Sequence, residues 1–382
     1  MRILINAASA HLGGSITYLA NLLRYLPVAM PDCEFVVYLP TETYTQFQKT
    51  DWAKTVTLKC YPYHSTSGAS RLYFDQVIIA QLVRAHKCDL LFSTTGFGTY
   101  FSPCPQILLI RNAIYFDRNE QLSKSTRNNT IRLWLSLASI RTADLTLFPT
   151  AAMRDLVAEH MSLTHIKTDV IPYGFDHETF FKLSTSSKFI KQIQNWRHDG
   201  NIILINVSVY AIHKNFETVI ESLPLILQSG VPIKFITTLS REHTGHKAEY
   251  DALMQRIHTL GLESTVVCLG NIPHDHLASI YNESDIFIFP SVVESFGHPM
   301  VEAMAANLPV VASNTAVNRE ICGSAGLFFD AFSVESCAQA ISMLLTNTEC
   351  RNTMKNNARE RAKDFSWSKY AEKFASLALR LL

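Results

Sequence analysis

Two glutamates, Glu294 and Glu302, lie within the stretch SVVESFGHPMVEAMAANLPVVAS over residues 291–313. Carboxylates accept hydrogen bonds from neighbouring hydroxyls, which is the chemistry of sugar recognition. Between them stand Gly297, which lets a backbone approach a ligand closely, and Pro299, suited to a first helical position because its missing N–H is not needed there. Backbone N–H groups around Phe296–Met300 point out of such a helix start. With the helix dipole they form an anion site suited to a diphosphate. Glu302, one turn further on, is placed to take two hydroxyls of a ribose. Glu294, before the helix, falls where a sugar beyond the diphosphate would lie. Taken singly, each glutamate also fits a solvated helix face; the surrounding order of strand, glycine turn, proline, helix and strand favours the ligand reading. His298 occupies the expected N-cap, and capping alone accounts for it.

The elements that must hold these residues repeat along the chain. RILINAA, CEFVVYLP, CDLLFSTT, PQILLIRNA, ADLTLFPT and DVIPYG are short apolar runs, interleaved with helical patterns such as ITYLANLLRYLP. The rhythm restarts with NIILINVSV and continues through PIKFITTL, STVVCLG, DIFIFPS and PVVAS. Runs without alternation are strands buried on both faces, as in a parallel sheet between helices. The predicted class is α/β, with two Rossmann-like doubly wound domains facing each other across a cleft. The expected boundaries are 1–172, a linker region 173–200, a second domain 201–364, and a C-terminal helix 365–382 that packs back on the first domain. Ligands of such sheets bind beyond the carboxyl ends of the strands, so the strand-to-helix turns carry the chemistry.

Composition narrows the partners. Of 382 residues, 47% are hydrophobic and 18% charged, with a net charge of +1, which gives no reason to expect nucleic acid. Met1–Pro172 holds 16 Lys and Arg against 12 Asp and Glu, a basic half beside a mildly acidic one. The segment KSTRNNTIRLWLSLASIR carries Lys124, Arg127, Arg132 and Arg141 with Trp134, which reads either as an ordinary docked helix or as a surface for anionic lipid. Eight scattered cysteines with no Cys-x-x-Cys pair fit free thiols in a reducing cytosol. No cleavable leader and no 18-residue apolar span is expected, which leaves a cytoplasmic protein with possible contact to the inner face of a membrane.

The unit ESFGHPMVE followed by AMAANLPVVAS resembles the donor signature of retaining glycosyltransferases of family 4, which have the GT-B fold. HLGGSITYLANLL, VIPYGFDHETF, VSVYAIHKNFETVIESL, VVCLGNIPHDHLASIYNESDIFIFPS and FSWSKYAEKF resemble further family segments in matching order. The resemblance covers nearly the whole chain. It implies transfer of a sugar from a UDP- or GDP-linked donor to a hydroxyl acceptor, a glycan or lipid-linked precursor of cell-envelope polysaccharide, with retention at the anomeric carbon. It assigns Glu302 to the ribose, Glu294 to the donor sugar as a catalytic residue, and the backbone of Phe296, Gly297 and His298 to sugar and diphosphate. It also assigns Lys214 to the β-phosphate, and Gly13 and Gly14 to a close loop. A fixed cation at Lys214 would stabilise the departing diphosphate, and a lysine at a helix start is unfavourable for the dipole, which supports a role.

The chain departs from the family at several points. Ser208 stands where the family carries an arginine near the phosphates, which leaves one cation either missing there or replaced by His213 or another residue. Arg111 and Asn112 stand where a histidine near the sugar is common. Tyr173 stands where asparagine is common. Asn271 lies in the turn that resembles a base contact, and His11 precedes the glycine pair as either a ligand contact or a surface residue. No Asp-x-Asp pair occurs, so neither metal nor other cofactor is expected. The alternatives are a sugar-nucleotide epimerase or phosphorylase on the same scaffold, or a nucleotide-binding scaffold without activity. A dehydrogenase is disfavoured because NAASAHLGGS lacks Gly-x-Gly-x-x-Gly.

Overall fold

The computed structural model describes residues 1–8, 10, 14–60, 68–118, 127–181 and 188–382. His11 and Gly13 lie outside these residues. The chain forms two compact units, Met1–Gly174 with Ser366–Leu382, and Phe175–Phe365.

The first unit contains a seven-stranded sheet. Its strands are β1 (Arg2–Asn6), β2 (Glu34–Leu39), β3 (Thr57–Cys60), β4 (Leu90–Ser93), β5 (Gln106–Leu109), β6 (Leu145–Phe148) and β7 (Thr168–Val170). They run parallel in the order β3-β2-β1-β4-β5-β6-β7. The second unit repeats this order with β8 (Ile202–Asn206), β9 (Ile233–Thr237), β10 (Val266–Cys268), β11 (Ile286–Phe289), β12 (Val310–Ser313) and β13 (Gly326–Phe329), arranged β10-β9-β8-β11-β12-β13. Both sheets have the doubly wound order with its reversal beside the first strand. The cause is visible in composition. β11 is Ile-Phe-Ile-Phe, buried throughout, and β4, β5, β6 and β12 are likewise buried along their length. Such runs are stable only with helices on both faces.

An aspartate registers the central strands in each unit. Asp89, just before β4, accepts the Arg2 N–H at 2.8 Å, and Asp285, just before β11, accepts the Ile203 N–H at 2.9 Å. The latter is a structural partner, as its position at an element end suggests.

Residues 175–200 differ from the expected linker. They carry the helices His177–Phe180 and Lys188–His198 and belong to the second unit. Ile190 and Ile193 are buried, Gln194 donates to Glu283 at 2.7 Å, and Arg197 reaches the Glu283 carbonyl at 2.8 Å. The polar stretch LSTSSK concealed this amphipathic helix. The last helix, Trp367–Leu379, packs within the first unit: the Tyr370 and Tyr18 hydroxyls meet at 2.7 Å, the Phe374 ring lies tilted 4.6 Å from that of Phe92, and Lys373 Nζ donates to the Val170 carbonyl at 2.8 Å.

Candidate functional site

The turns after β8 and β11, neighbours where the strand order reverses, bring the second unit's chemical residues together. After β8 the chain makes a short 3₁₀ turn, Ile212–Lys214, and enters the helix Phe216–Leu227 through Asn215. Asn215 is left-handed, with φ 51°, a conformation asparagine tolerates better than most residues. Its side chain accepts the Thr218 hydroxyl at 2.8 Å. This turn aims Lys214 back across the strand ends.

Lys214 Nζ meets Glu294 Oε1 in an ion pair, with side chains 20% and 15% exposed. The ammonium also lies 5.7 Å from the centre of the Phe289 ring. Ser291 donates its hydroxyl to the same Glu294 oxygen at 2.7 Å. Burial pushes the Glu294 carboxyl up, but Lys214, Ser291 and His213 together outweigh burial and hold it below its ordinary value. The carboxylate is therefore ionised at neutral pH.

The helix His298–Ala305 begins after Gly297, which is the N-cap in place of the expected His298. Gly297 has φ 85°, and a Cβ there would meet Met300 Cε at 2.5 Å. Only glycine takes this turn without strain. His298 is the first helical residue, its ring 5.1 Å from that of Phe296. Glu302, further along this helix, accepts the Tyr281 hydroxyl at 3.0 Å. Burial raises its pKa to about 7 against that hydrogen bond.

Other expected residues take different places. The Ser208 hydroxyl donates to the Val209 carbonyl at 2.9 Å, and the Ser208 N–H donates to Thr238. Burial, then Lys214 and His246, lowers the His213 pKa to about 4. At that value its ring is neutral at pH 7. Its carbonyl accepts from Val292 N–H at 2.9 Å and Ser291 at 3.3 Å. Asn271 is exposed in the loop after β10. Gly14 begins the first unit's helix Gly14–Ala29. Arg111, in the same unit, lies 5.3 Å over the Tyr18 ring, and Asn112 caps a short turn by accepting the Ile114 N–H at 3.0 Å. The sequence reading missed Ser291, Tyr281 and Asn318. Ser291, three residues before Glu294, was open to notice; Tyr281 looked like one more apolar position in LASIYN. Among the described residues, no group of three His, Cys, Asp or Glu is arranged to hold a metal ion.

Residues 186–361 match the family described as glycosyl transferases group 1. This stretch belongs to the group 1 glycosyltransferases. The group 1 stretch holds every residue of the site just described. The chain is similar to mannosylfructose-phosphate synthase of Agrobacterium fabrum, 24% identical over 64% of this chain and 55% of that protein. It is also similar to O-antigen chain mannosyltransferase B of Escherichia coli, 34% identical over 31% of each. The matches thus span from about a third to just over half of these relatives. Among solved structures, HepE of Anabaena in complex with UDP has a TM-score of 0.77 at 19% identity over all of both chains. WaaG, a glycosyltransferase involved in lipopolysaccharide biosynthesis, has 0.72 at 15% identity over 99% of both. The fold is therefore GT-B.

Proposed function

We propose that the protein is a retaining glycosyltransferase that moves a hexose from a UDP- or GDP-linked donor to a hydroxyl of a glycan or lipid-linked acceptor. The single observation that carries this reading is the pairing of Lys214 with Glu294 at the strand ends beside the Gly297 turn and the helix it opens. A cation at a helix start, a carboxylate beside it and a second carboxylate along the helix, Glu302, suit the three parts of a nucleotide-sugar: diphosphate, sugar hydroxyls and ribose.

In this reading the diphosphate lies at the Gly297–Met300 backbone and takes Lys214 as its counter-ion. Glu294, released from the ammonium, accepts hydroxyls of the donor sugar. Glu302 accepts those of the ribose, with Tyr281 fixing one of its oxygens. The anomeric C–O bond breaks with its electron pair passing to the β-phosphate oxygen. Lys214 and the helix N–H groups stabilise that growing charge, worth about 1.5–3 kcal/mol per charge-assisted contact. The acceptor oxygen bonds the same face of the anomeric carbon, and its proton leaves on the departing diphosphate. The proposed chemistry needs no metal, because Lys214 and the helix start supply the positive potential.

The acceptor reading draws support from the first unit. Phe101 and Trp134 are 87% and 66% exposed, and Ile114 and Ile131 are exposed too. The segments that carry them meet: Tyr100 donates to the Leu135 carbonyl at 3.4 Å, and Arg132 lies 5.6 Å over the Tyr115 ring. Aromatic side chains among Arg132 and Arg141 suit an anionic membrane surface. No helix among the described residues is long and apolar enough to cross a membrane. Eight cysteines in thiol form accord with a reducing compartment such as the cytosolic side of a membrane. Incubation with radiolabelled UDP-, GDP- and ADP-sugars tests the reading. Transfer or slow donor hydrolysis is expected, whereas nucleotide binding with no turnover on any donor would leave a scaffold.

A further inference from the structure

Asn318 is fully buried, and nothing in the chemistry above uses it. It lies in the helix Ala316–Cys322, which follows β12. Its Nδ2 donates to the Ser291 carbonyl at 3.1 Å, the Ser313 carbonyl at 2.9 Å and the Ser313 hydroxyl at 3.0 Å. The Ser313 hydroxyl in turn donates to the Ser291 carbonyl. Two carbonyls face the amide, so its nitrogen must point toward them; the reversed orientation would set three oxygens against each other. The cost is visible on the other side, because Asn318 Oδ1 is buried with no hydrogen-bond partner among the described residues. A buried acceptor left unmade costs about 1–3 kcal/mol, so the contacts made by Nδ2 outweigh a real penalty.

These contacts converge on Glu294. Ser291 and Ser313 are also buried; Ser291 lies two residues beyond β11 and Ser313 ends the adjacent strand β12. The Ser291 carbonyl is gripped from one side, while its hydroxyl reaches Glu294 Oε1 and the His213 carbonyl on the other. Gripping the backbone carbonyl fixes where Ser291 sits, and so the point from which its hydroxyl reaches Glu294 and orients the carboxylate.

We propose that Asn318 is a positioning residue: through Ser313 and Ser291 it fixes the orientation of the Glu294 carboxylate in the donor site. This rests on the reading of Glu294 as the ligand of the donor sugar. Asn318 touches no ligand in that reading. It acts through the placement of the Ser291 backbone, so its loss loosens the carboxylate while the helix start that takes the diphosphate keeps its shape.

The test compares wild type with Asn318→Leu, Ser313→Ala, Ser291→Ala and Ser291→Thr. The Glu294 carboxyl is titrated by carbon-13 NMR in glutamate-labelled protein and assigned with Glu294→Gln. Loss of the ordered Ser291 hydroxyl should raise its midpoint by about one pH unit in Asn318→Leu and Ser291→Ala, and Ser291→Thr should restore it. On the donor that wild type turns over, kcat should fall roughly tenfold in both, with affinity for free UDP or GDP within about twofold of wild type. Combining Asn318→Leu with Ser291→Ala should add nothing to Ser291→Ala alone. If Asn318→Leu does not fold, Ser313→Ala carries the same expectations. An unchanged midpoint in a folded variant overturns the proposal, as does a parallel loss of nucleotide affinity and melting temperature, which marks a purely structural residue. Should wild type transfer no sugar while the midpoint still moves, the positioning stands and the glycosyltransferase reading fails.

Discussion

The hydroxyl of Tyr281 donates to Glu302 Oε2 across 3.0 Å, joining the helix His274–Asn282 to the helix that starts at His298. Tyr281 is completely buried and packs 5.8 Å from Phe180 and 5.7 Å from Phe287. Burial of Glu302 dominates the hydrogen bond and raises its pKa to about 7 from 4.5. At neutral pH this carboxyl is poised between proton and hydroxyl partners.

Stability should fall as pH rises between 4.5 and 7. The folded state holds the Glu302 proton up to about pH 7, while the unfolded chain releases it near 4.5. The contribution is therefore complete below 4.5, declines across that window and is absent above 7. Glu302→Gln should remove this slope and gain about 2 kcal/mol at pH 8, after allowance for solvent screening. Urea unfolding at pH 4, 6 and 8 checks it.

The two glutamates should separate by function. Glu294→Ala is expected to lower kcat by roughly 10²–10³ with free-nucleotide affinity largely retained. Glu302→Ala is expected to weaken nucleotide binding itself. For wild type, nucleotide affinity should climb from pH 6 to 8 as Glu302 ionises, and Glu302→Gln should flatten that component. Calorimetric titration with UDP and GDP resolves the two effects; equal losses from both substitutions would sink the assignment.

Lys214→Ala should destabilise the protein by about 2 kcal/mol at pH 7, because it leaves the Glu294 carboxylate mostly buried beside Ser291 alone. The wild-type Glu294 pKa is lowered, so its contribution is present above 4.5 and is lost as pH falls. The destabilisation should accordingly shrink at pH 3, where the carboxylate is protonated in either protein. Guanidinium unfolding at the two pH values measures this. Donor turnover should fall as well; an unchanged rate and affinity would remove Lys214 from the phosphate site.

Gly297→Ala combines a positive φ with a Cβ 2.5 Å from Met300 Cε. A loss of about 1–3 kcal/mol in folding stability is expected, together with weaker nucleotide binding as the helix start shifts. Thermal denaturation with and without nucleotide reports both.

Phe101→Glu with Trp134→Glu should abolish co-sedimentation with vesicles of phosphatidylglycerol and leave donor hydrolysis unchanged. Wild type should bind such vesicles and lose binding in high salt, because the attraction to basic residues is screened. Wild-type protein that stays in the supernatant at low salt would refute the membrane surface.

The strands were legible because burial on both faces writes itself as uninterrupted apolar runs, as in IFIF and VVAS. The Gly297 turn and the helix after it were legible because glycine and proline have few other reasons to stand so close. Pairings across 80 residues, such as Lys214 with Glu294, leave no mark in local spacing. The fold alone brings the ends of β8 and β11 together. Asn318 in TAVNREIC and Tyr281 in LASIYN were concealed for a related reason: each looks ordinary in its own helix, and its partners come from other elements. The helix Lys188–His198 was lost to the polar residues before it, although Ile190 and Ile193 kept helical spacing.

The chain leaves its first unit after Gly174 and re-enters it at Ser366, and the Phe175 N–H donates to the Phe365 carbonyl at 3.4 Å. Topologically the group 1 module is thus a cassette whose entry and exit lie one hydrogen bond apart. Such a cassette can be exchanged between homologues by two seams at a single place, whereas a lone cut at 174 would strip Tyr18 and Phe92 of their cover from Tyr370 and Phe374. Evolution can then replace the second unit without rewriting the first.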